Sequence, residues 1–201
     1  MEIKQIVSSV LGSNTFIVEN GDNVLIIDAG AELNKVLDVV ENKKVCGILL
    51  THLHFDHVYF LADYVEHFGC KVYLNDQKNV DNKNYTLSNM VGGINLPKNC
   101  YVDVAGKSYV DIENFNVKCY STPGHSADSM CYVIEENLFS GDTLFDGTIG
   151  RTDLPTSSVK DMLSSLELLK TLTFKTCFSG HGENSNYDDQ IENIKYFIME
   201  L

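Results

Sequence analysis

The sequence Leu50-Thr51-His52-Leu53-His54-Phe55-Asp56-His57 places half of the six histidines of the chain within six positions, beside a carboxylate. It follows the apolar run Cys46–Leu50, which is typical of a buried strand. A loop of solvated or hydrogen-bonded histidines is the simple alternative. So many polar groups directly after a buried strand disfavour it, because burying them without partners costs free energy.

The spacing of this cluster predicts how its side chains point. In an extended loop, residues two apart face the same way, so we expect His52, His54 and Asp56 to share one side. His57 would turn elsewhere as a helix begins. Imidazole and carboxylate are ligands of catalytic zinc, manganese and iron, whereas structural zinc sites are usually rich in cysteine. The loop is therefore predicted to serve two metal ions.

Three later segments share one pattern, a strand that ends in glycine and is followed by a residue of metal-ligand type. They are Thr122-Pro123-Gly124-His125, Phe139-Ser140-Gly141-Asp142 and Phe178-Ser179-Gly180-His181. Glycine lets the backbone turn sharply and approach a crowded centre. Each histidine alone would more often be an ordinary hydrogen-bonded residue, and the aspartate a turn former. Together with the first cluster, they predict ligands that converge from separate strands.

The apolar pattern predicts the rest of the architecture. Strands are expected at Ile3–Val10, Thr15–Glu19, Val24–Asp28, Cys46–Leu50, Lys71–Leu74, Tyr101–Val104, Tyr109–Ile112, Phe115–Ser121, Met130–Glu135, Leu138–Ser140 and Thr176–Ser179. Helices are expected at Glu32–Asn42, His57–Gly69, Ser157–Thr171 and Tyr187–Met199. Strands followed by a helix, twice over, predict one α/β domain covering residues 1–201, a four-layer αββα sandwich. Between Asn75 and Asn99 a partly helical loop over the site and a solvated surface connection are both open.

Composition limits the possible partners. The chain has 201 residues, 44% of them hydrophobic, and a net charge of −13, which disfavours nucleic acid because a polyanion requires clustered lysine and arginine. No export signal or long apolar run is present, so we expect a cytoplasmic protein without a membrane partner. The six cysteines form no Cys-x-x-Cys pair, which favours free, buried thiols. The oligomeric state is left open.

The order His-x-His-x-Asp-His, then His, Asp and His, resembles the metallo-β-lactamase superfamily over nearly the whole chain. The resemblance implies the metallo-β-lactamase fold and two divalent metal ions, with zinc preferred over manganese or iron. It also implies the metal ligands: His52, His54 and His125 on one ion, Asp56, His57 and His181 on the other, and Asp142 bridging both. Asp28 resembles the structural aspartate of the family, which would orient the backbone or a ligand.

Gly141–Phe145 followed by Gly150–Pro155 resembles the glyoxalase II-like branch, the hydroxyacylglutathione hydrolases and their single-domain relatives. Full-length glyoxalase II proteins have an additional helical domain that binds glutathione, for which 201 residues leave no room. Ser126–Ser129 also departs from the usual Thr-x-Gly of the family. Arg151 is the only arginine. It is expected either to clamp a nearby carboxylate or orient a substrate, or to form a structural salt bridge with Asp153 or Asp142.

These features imply a hydrolase in which a metal-bridging hydroxide attacks a small-molecule thioester or ester, with Asp56 also moving a proton. A thiolate, with a pKa near ~8.5, leaves without prior protonation. The alternative is a mono-iron persulfide dioxygenase of the same fold, which would use only His52, His125 and Asp142. A β-lactamase is disfavoured by the lack of an export signal and a nuclease by the acidic charge. A silent metal-binding module would normally have lost ligands.

Overall fold

Two six-stranded sheets form the centre of the computed structural model, which describes residues 1–201. The strands of the first sheet follow chain order across the sheet: β1 (Glu2–Val7), β2 (Asn14–Asn20), β3 (Asn23–Ile27), β4 (Lys44–Leu49), β5 (Lys71–Leu74) and β6 (Tyr101–Asp103). Strands β1 to β3 are antiparallel, and β3 to β6 are parallel. The carboxyl ends of β3, β4 and β5 therefore lie at one edge of the sheet.

The second sheet also directs several strand ends to one edge. Its strands are β7 (Tyr109–Ile112), β8 (Phe115–Ser121), β9 (Met130–Ile134), β10 (Asn137–Gly141), β13 (Thr176–Ser179) and β14 (Ser185–Asn186), in the spatial order β14-β13-β10-β9-β8-β7. Strand β9 is antiparallel to both β8 and β10, and β10 is parallel to β13. Strands β8, β10 and β13 therefore run in the same direction. A separate hairpin joins β11 (Leu144–Phe145) to β12 (Thr148–Ile149).

Helices cover the outer faces of the two sheets. They are α1 (Leu33–Val40), α2 (Phe55–Val58), α3 (Leu61–Phe68), α4 (Lys83–Thr86), α5 (Val159–Leu169) and α6 (Tyr187–Glu200). Side chains of α1 and α3 share a core with the outer face of the first sheet, and those of α5 and α6 with the outer face of the second. A third core lies between the sheets. The predicted four-layer αββα sandwich is confirmed. None of the helices combines the length and the apolar character that crossing a membrane requires.

The predicted helix His57–Gly69 is wrong in its start and in its continuity. The structure has two helices there, because backbone groups in this segment pair with Ala29 instead of continuing the helix. Ala29 N donates to His57 O at 2.7 Å, and Phe60 N donates to Ala29 O at 3.0 Å. Helix α2 therefore ends before Phe60, and α3 begins at Leu61. The two hydrogen bonds tie the end of the histidine-rich segment 51–57, called the metal loop below, to the residues that follow β3.

The segment 75–99 contains α4 and two turns of 3-10 helix, Gln77–Asn79 and Ser88–Val91. Val80 is buried in the outer core of the first sheet, and Tyr85, Ile94 and Leu96 pack partly against it. This segment is therefore partly helical and packs against the first sheet, and its predicted position over the site stays a prediction. The hairpin β11–β12 and the short β14 have no counterpart in the predictions. All six cysteines are free, and four of them are buried.

One hydrogen bond across the two sheets gives a test of the packing. Tyr132 is fully buried in the core between the sheets, and its hydroxyl donates to Leu50 O at 2.8 Å. Tyr132→Phe leaves that carbonyl without this partner, so the free energy of unfolding should fall by about 1–3 kcal/mol. Tyr109→Phe, at a site where the side chain is exposed, should change it by less than about 0.5 kcal/mol. Equal denaturant midpoints for the two variants would contradict this assignment.

Candidate metal centre

The seven side chains that the sequence predicts as ligands all follow the ends of strands that share one edge of the sandwich. His52, His54, Asp56 and His57 lie in the loop and helix after β4, His125 follows β8, Asp142 follows β10 and His181 follows β13. Hydrogen bonds between the sheets hold these ends together. Met130 N donates to Thr51 O at 2.8 Å, and Asn14 N donates to Gly180 O at 2.7 Å. The structure brings all seven into one cluster.

The first group contains His52, His54 and His125, and all three are buried. His54 Nδ1 lies 3.1 Å from His52 Nε2 and 2.9 Å from His125 Nε2. Nitrogen ligands about 2.0–2.1 Å from a tetrahedral ion are about 3.3 Å apart. The three nitrogens thus have nearly the spacing that one shared ion requires.

The second group contains Asp56, His57 and His181. His181 Nε2 lies 3.3 Å from His57 Nε2 and 3.1 Å from Asp56 Oδ2. Asp142 connects the two groups. Its Oδ1 lies 3.3 Å from His57 Nε2, and its Oδ2 lies 3.4 Å from His125 Nε2. The carboxylate of Asp142 therefore stands between two sets of three possible ligands.

Asp56 belongs to the second group, although the extended spacing predicted that it would face the same way as His52 and His54. Helix α2 begins at Phe55, so Asp56 and His57 lie in the same helical turn. Asp56 Oδ2 is 3.5 Å from His57 Nε2. The prediction of an extended backbone was right as far as His54 and wrong at Asp56.

Hydrogen bonds fix the orientation of three imidazoles. His57 Nδ1 donates to Asp28 Oδ2 at 2.8 Å, and His125 Nδ1 donates to the Arg151 carbonyl at 3.0 Å. The Thr51 hydroxyl donates to Asp28 Oδ2, so it accepts from His52 Nδ1 at 3.1 Å. In a neutral imidazole with its proton on Nδ1, Nε2 carries the lone pair. When His57 is neutral, all three Nε2 lone pairs therefore face the cluster.

The electrostatics of the first group favour neutral imidazoles. Burial lowers the pKa of His52 well below its usual value, and it lowers the pKa of His54 to about 3. Burial also lowers the pKa of His125, against the opposing charge of Asp142. Neutral imidazole is the form that binds a metal ion.

The second group has a strong requirement for positive charge. Burial works against a charged His57, but Asp142, Asp56 and Asp28 outweigh it and raise the pKa of His57 well above its usual value. Burial would raise the pKa of Asp142, yet His57 and then the neighbouring histidines hold it well below its usual range. Either a proton on His57 Nε2 or a metal ion in its place would balance these carboxylates.

The residues fit a pair of metal ions. Neutral nitrogen lone pairs that point at one another about 3 Å apart repel, unless a cation or a shared proton lies between them. Asp142 Oδ1 is buried and has no well-directed hydrogen-bond partner in the protein, and a buried polar atom normally has one. The donor set, five imidazoles and two carboxylates without a cysteine, is typical of catalytic rather than structural metal sites.

Comparison with known proteins identifies the family. The family model described as the metallo-beta-lactamase superfamily matches residues 9–181. The chain belongs to this superfamily. A Bacillus subtilis (strain 168) protein named a probable metallo-hydrolase is 34% identical over 183 residues, covering 87% of each chain.

Two solved structures of the metallo-beta-lactamase fold are similar over most of their length. The BLEG-1 B3 metallo-beta-lactamase has a TM-score of 0.90 at 28% identity and covers 98% of this chain and 99% of that chain. The protein TTHA1623 in a di-iron-bound form has a TM-score of 0.76 at 30% identity and covers 91% of this chain and 94% of that chain. The family match and the relative named a probable metallo-hydrolase support a metal-dependent hydrolase as the coarse function.

Arg151 of this superfamily member forms the salt bridge that was one of its two predicted roles. Its guanidinium binds the exposed carboxylate of Asp153 through two bonds, Nε to Oδ1 at 2.6 Å and Nη2 to Oδ2 at 2.8 Å. It does not pair with Asp142. Its carbonyl orients His125, as described above. Substrate binding by the Arg151 side chain stays a prediction.

Asp28 lies where the resemblance predicts, beside the metal loop. Its Oδ1 accepts from Thr51 N at 2.7 Å, and its Oδ2 accepts from the Thr51 hydroxyl at 2.7 Å and from His57 Nδ1 at 2.8 Å. Sequence analysis did not single out Thr51 as the link to His52. Only its position directly before the first histidine could have indicated it.

Asp128 was also missed as a site residue. It is 2% exposed, and its Oδ2 accepts from Leu53 N at 2.9 Å, between His52 and His54. The departure of Ser126–Ser129 from the family pattern was the only sequence feature that could have drawn attention to Asp128. Asp128 holds the backbone of the metal loop from the opposite sheet.

Gly180 gives a test of the crowding at the centre. A Cβ at this position would collide with Asp142 Oδ1 and would lie 2.8 Å from His57 Cε1. Gly180→Ala should therefore displace two ligands and reduce bound metal to below half of the wild-type amount, measured by elemental analysis. Gly21→Ala, in an open turn with a φ of +62°, should lose about 1 kcal/mol of stability and keep its metal. A Gly180→Ala protein with full metal content would contradict the predicted crowding.

The carboxyl of Asp128 gives a test by pH. Burial raises the pKa of Asp128 to about 6, above the value of about 3.9 in an unfolded chain. The folded protein therefore loses stability as the pH rises through 6. Asp128→Asn keeps an acceptor for Leu53 N but cannot ionise. In EDTA, its free energy of unfolding should rise relative to that of wild type by about 1 kcal/mol between pH 5 and 7.5.

The exposed Asp63 provides the control for the pH experiment. Asp63→Asn should not reproduce the pH-dependent gain of Asp128→Asn, because this exposed side chain makes no hydrogen bond to the loop that carries His52 and His54. A constant difference in stability between Asp128→Asn and wild type would show that Asp128 does not carry the raised pKa.

Proposed function

We propose that this chain is a binuclear metal-dependent hydrolase that cleaves a small thioester, or a related ester, as glyoxalase II-like enzymes do. One observation carries the proposal. Both groups of three ligands are complete, and Asp142 lies between them, 3.3 Å from His57 Nε2 and 3.4 Å from His125 Nε2. A site that needed only one ion would have no use for the second group.

The proposed ligands follow the two groups. His52, His54 and His125 would hold one ion, Asp56, His57 and His181 the other, and Asp142 would bind both. Zinc is the first choice for this nitrogen and oxygen set, with manganese or iron as alternatives. The di-iron-bound form of TTHA1623 supports keeping iron among them.

Two divalent ions in these positions would supply hydroxide near neutral pH and polarise the carbonyl of the substrate. The protein itself orients the ligands and accepts a proton. Burial opposes the ionisation of Asp56, but His57 and His181 outweigh it and lower the pKa of Asp56. Asp56 is therefore a carboxylate at neutral pH, in position to take a proton from the attacking water as well as to bind metal.

The leaving group supports a thioester. Apart from the proposed ligands themselves, the two groups contain no separate general acid that could protonate a leaving atom. A thiolate, with a pKa near ~8.5, leaves without such help, whereas an amine does not. The Gly141–Phe145 and Gly150–Pro155 motifs add support from the glyoxalase II-like branch. A small molecule is the proposed partner, since the net charge of −13 disfavours a nucleic acid.

His181, one of the two histidines of the second group, separates this proposal from the mono-iron alternative. His181→Ala should reduce bound metal from two equivalents to about one and lower kcat/KM for a hydroxyacyl thioester by at least about 100-fold. His67→Ala replaces the one histidine outside the cluster and should change neither value. Metal content is measured by elemental analysis and hydrolysis by thiol release. Chelation should abolish turnover, and zinc should restore it.

Two outcomes would contradict the proposal. One iron per chain, with oxygen uptake on a persulfide that survives in His181→Ala, would establish the dioxygenase alternative. Faster turnover of a chromogenic cephalosporin than of any thioester or ester would make the protein a β-lactam hydrolase, which is the activity that the name of the BLEG-1 enzyme states.

A further inference from the structure

A cavity of about 400 Å³ opens beside His181, the most exposed of the seven side chains. Four other residues line it: Phe145, Asp146, Gly182 and Glu183. Because His181 belongs to the second group of ligands, the cavity adjoins the place where the proposed reaction occurs. It is the space that receives the part of the substrate next to the cleaved bond.

The cavity is lined by two negatively charged side chains and by no lysine or arginine. Asp146 and Glu183 are exposed, and neither takes part in an ion pair. Arg151, the only arginine of the chain, already has the Nε and Nη2 edge of its guanidinium on Asp153. An anionic group that entered the cavity would therefore meet two carboxylates and no lysine or arginine among the lining residues.

Phe145 adds an aromatic wall to these carboxylates. Its ring lies edge-on to the His181 ring, with centroids 6.1 Å apart, and it is half-buried. An aromatic face together with carboxylates is the usual means by which proteins bind ammonium groups. The same surface repels carboxylates and phosphates.

From this cavity we infer that the substrate is an ester or thioester with a cationic ammonium group beside the cleaved bond, rather than a polyanionic thioester. The inference rests on the proposed hydrolase function. The two carboxylates among the ligands would leave two divalent ions incompletely neutralised, so the centre attracts the carbonyl oxygen. The negative carboxylates of Asp146 and Glu183, which form the rim of the cavity, then select a positively charged ammonium group.

A panel of acetyl thioesters with different thiols tests the inference. Acetylthiocholine is cationic, S-acetyl-N-acetylcysteamine is neutral, S-acetylglutathione is anionic and acetyl-coenzyme A is polyanionic. At low ionic strength the zinc-loaded protein should show kcat/KM decreasing in that order, with about a tenfold or larger ratio between the cationic and glutathione esters. The ratio should shrink in 0.5 M salt, because exposed charges are screened.

Two double variants test whether the carboxylates of the cavity cause the preference for the cationic thioester. Asp146→Asn with Glu183→Gln should reduce the cationic-to-glutathione ratio at least about threefold, mainly through KM. Asp38→Asn with Glu66→Gln removes the same charge from exposed helix positions and should leave the ratio unchanged. Phe145→Leu should lower kcat/KM for the cationic ester more than for the neutral one.

The outcomes separate the two proposals. If the protein with two metal equivalents hydrolyses no thioester or ester, the proposed function fails and the inference fails with it. If it hydrolyses the panel without a preference for the cation, or if both double variants change the ratio equally, the inference alone fails.

Discussion

The carboxylate of Asp28 accepts three hydrogen bonds, and the arrangement of the site depends on them. One comes from the Thr51 backbone, one from the Thr51 hydroxyl and one from His57 Nδ1. Through Thr51 it also fixes Nδ1 of His52. Asp28 adopts a left-handed backbone conformation, with a φ of +60°, which aspartate tolerates better than most residues. A single side chain at the end of β3 thus orients one imidazole of each group, so the two halves of the centre are set together.

The sheets make this local arrangement possible. Parallel strands deliver Asp28 and the metal loop to one edge, and the common direction of β8, β10 and β13 delivers His125, Asp142 and His181 to the facing edge. The core between the sheets fixes the distance between these edges. Because side chains in such a core are close-packed, a shift of one sheet would displace ligands on the other. Stability of the sandwich and geometry of the centre are therefore coupled.

Sequence alone identified the seven clustered residues, because each follows a strand, and three of them follow a glycine at a strand end. The spacing of the residues alone misplaced Asp56, which the family resemblance assigned to the second group. That place depends on where α2 begins, and this helix is bounded by hydrogen bonds with Ala29, far away in the chain. Asp128 was hidden for the same reason, since its bond to Leu53 joins residues 75 positions apart. Local pattern thus predicted which strands carry ligands and the family resemblance implied their partition into two groups, whereas the supporting bonds required the fold.

The ligands Asp142 and His181 lie close in the chain to the rim residues Asp146 and Glu183, but only the ligands are held in place by the packed strands. Asp142 and His181 are fixed by backbone bonds such as Gly180 N to Gly141 O, whereas Asp146 and Glu183, a few positions later in the same loops, project into solvent. Substitution at an exposed position costs little stability. The rim can therefore change its charge while the ligands keep their places. Under the inferred specificity, the charge of the rim, rather than the ligand set, selects the substrate of this chain, and the same fold could serve another substrate with a different rim.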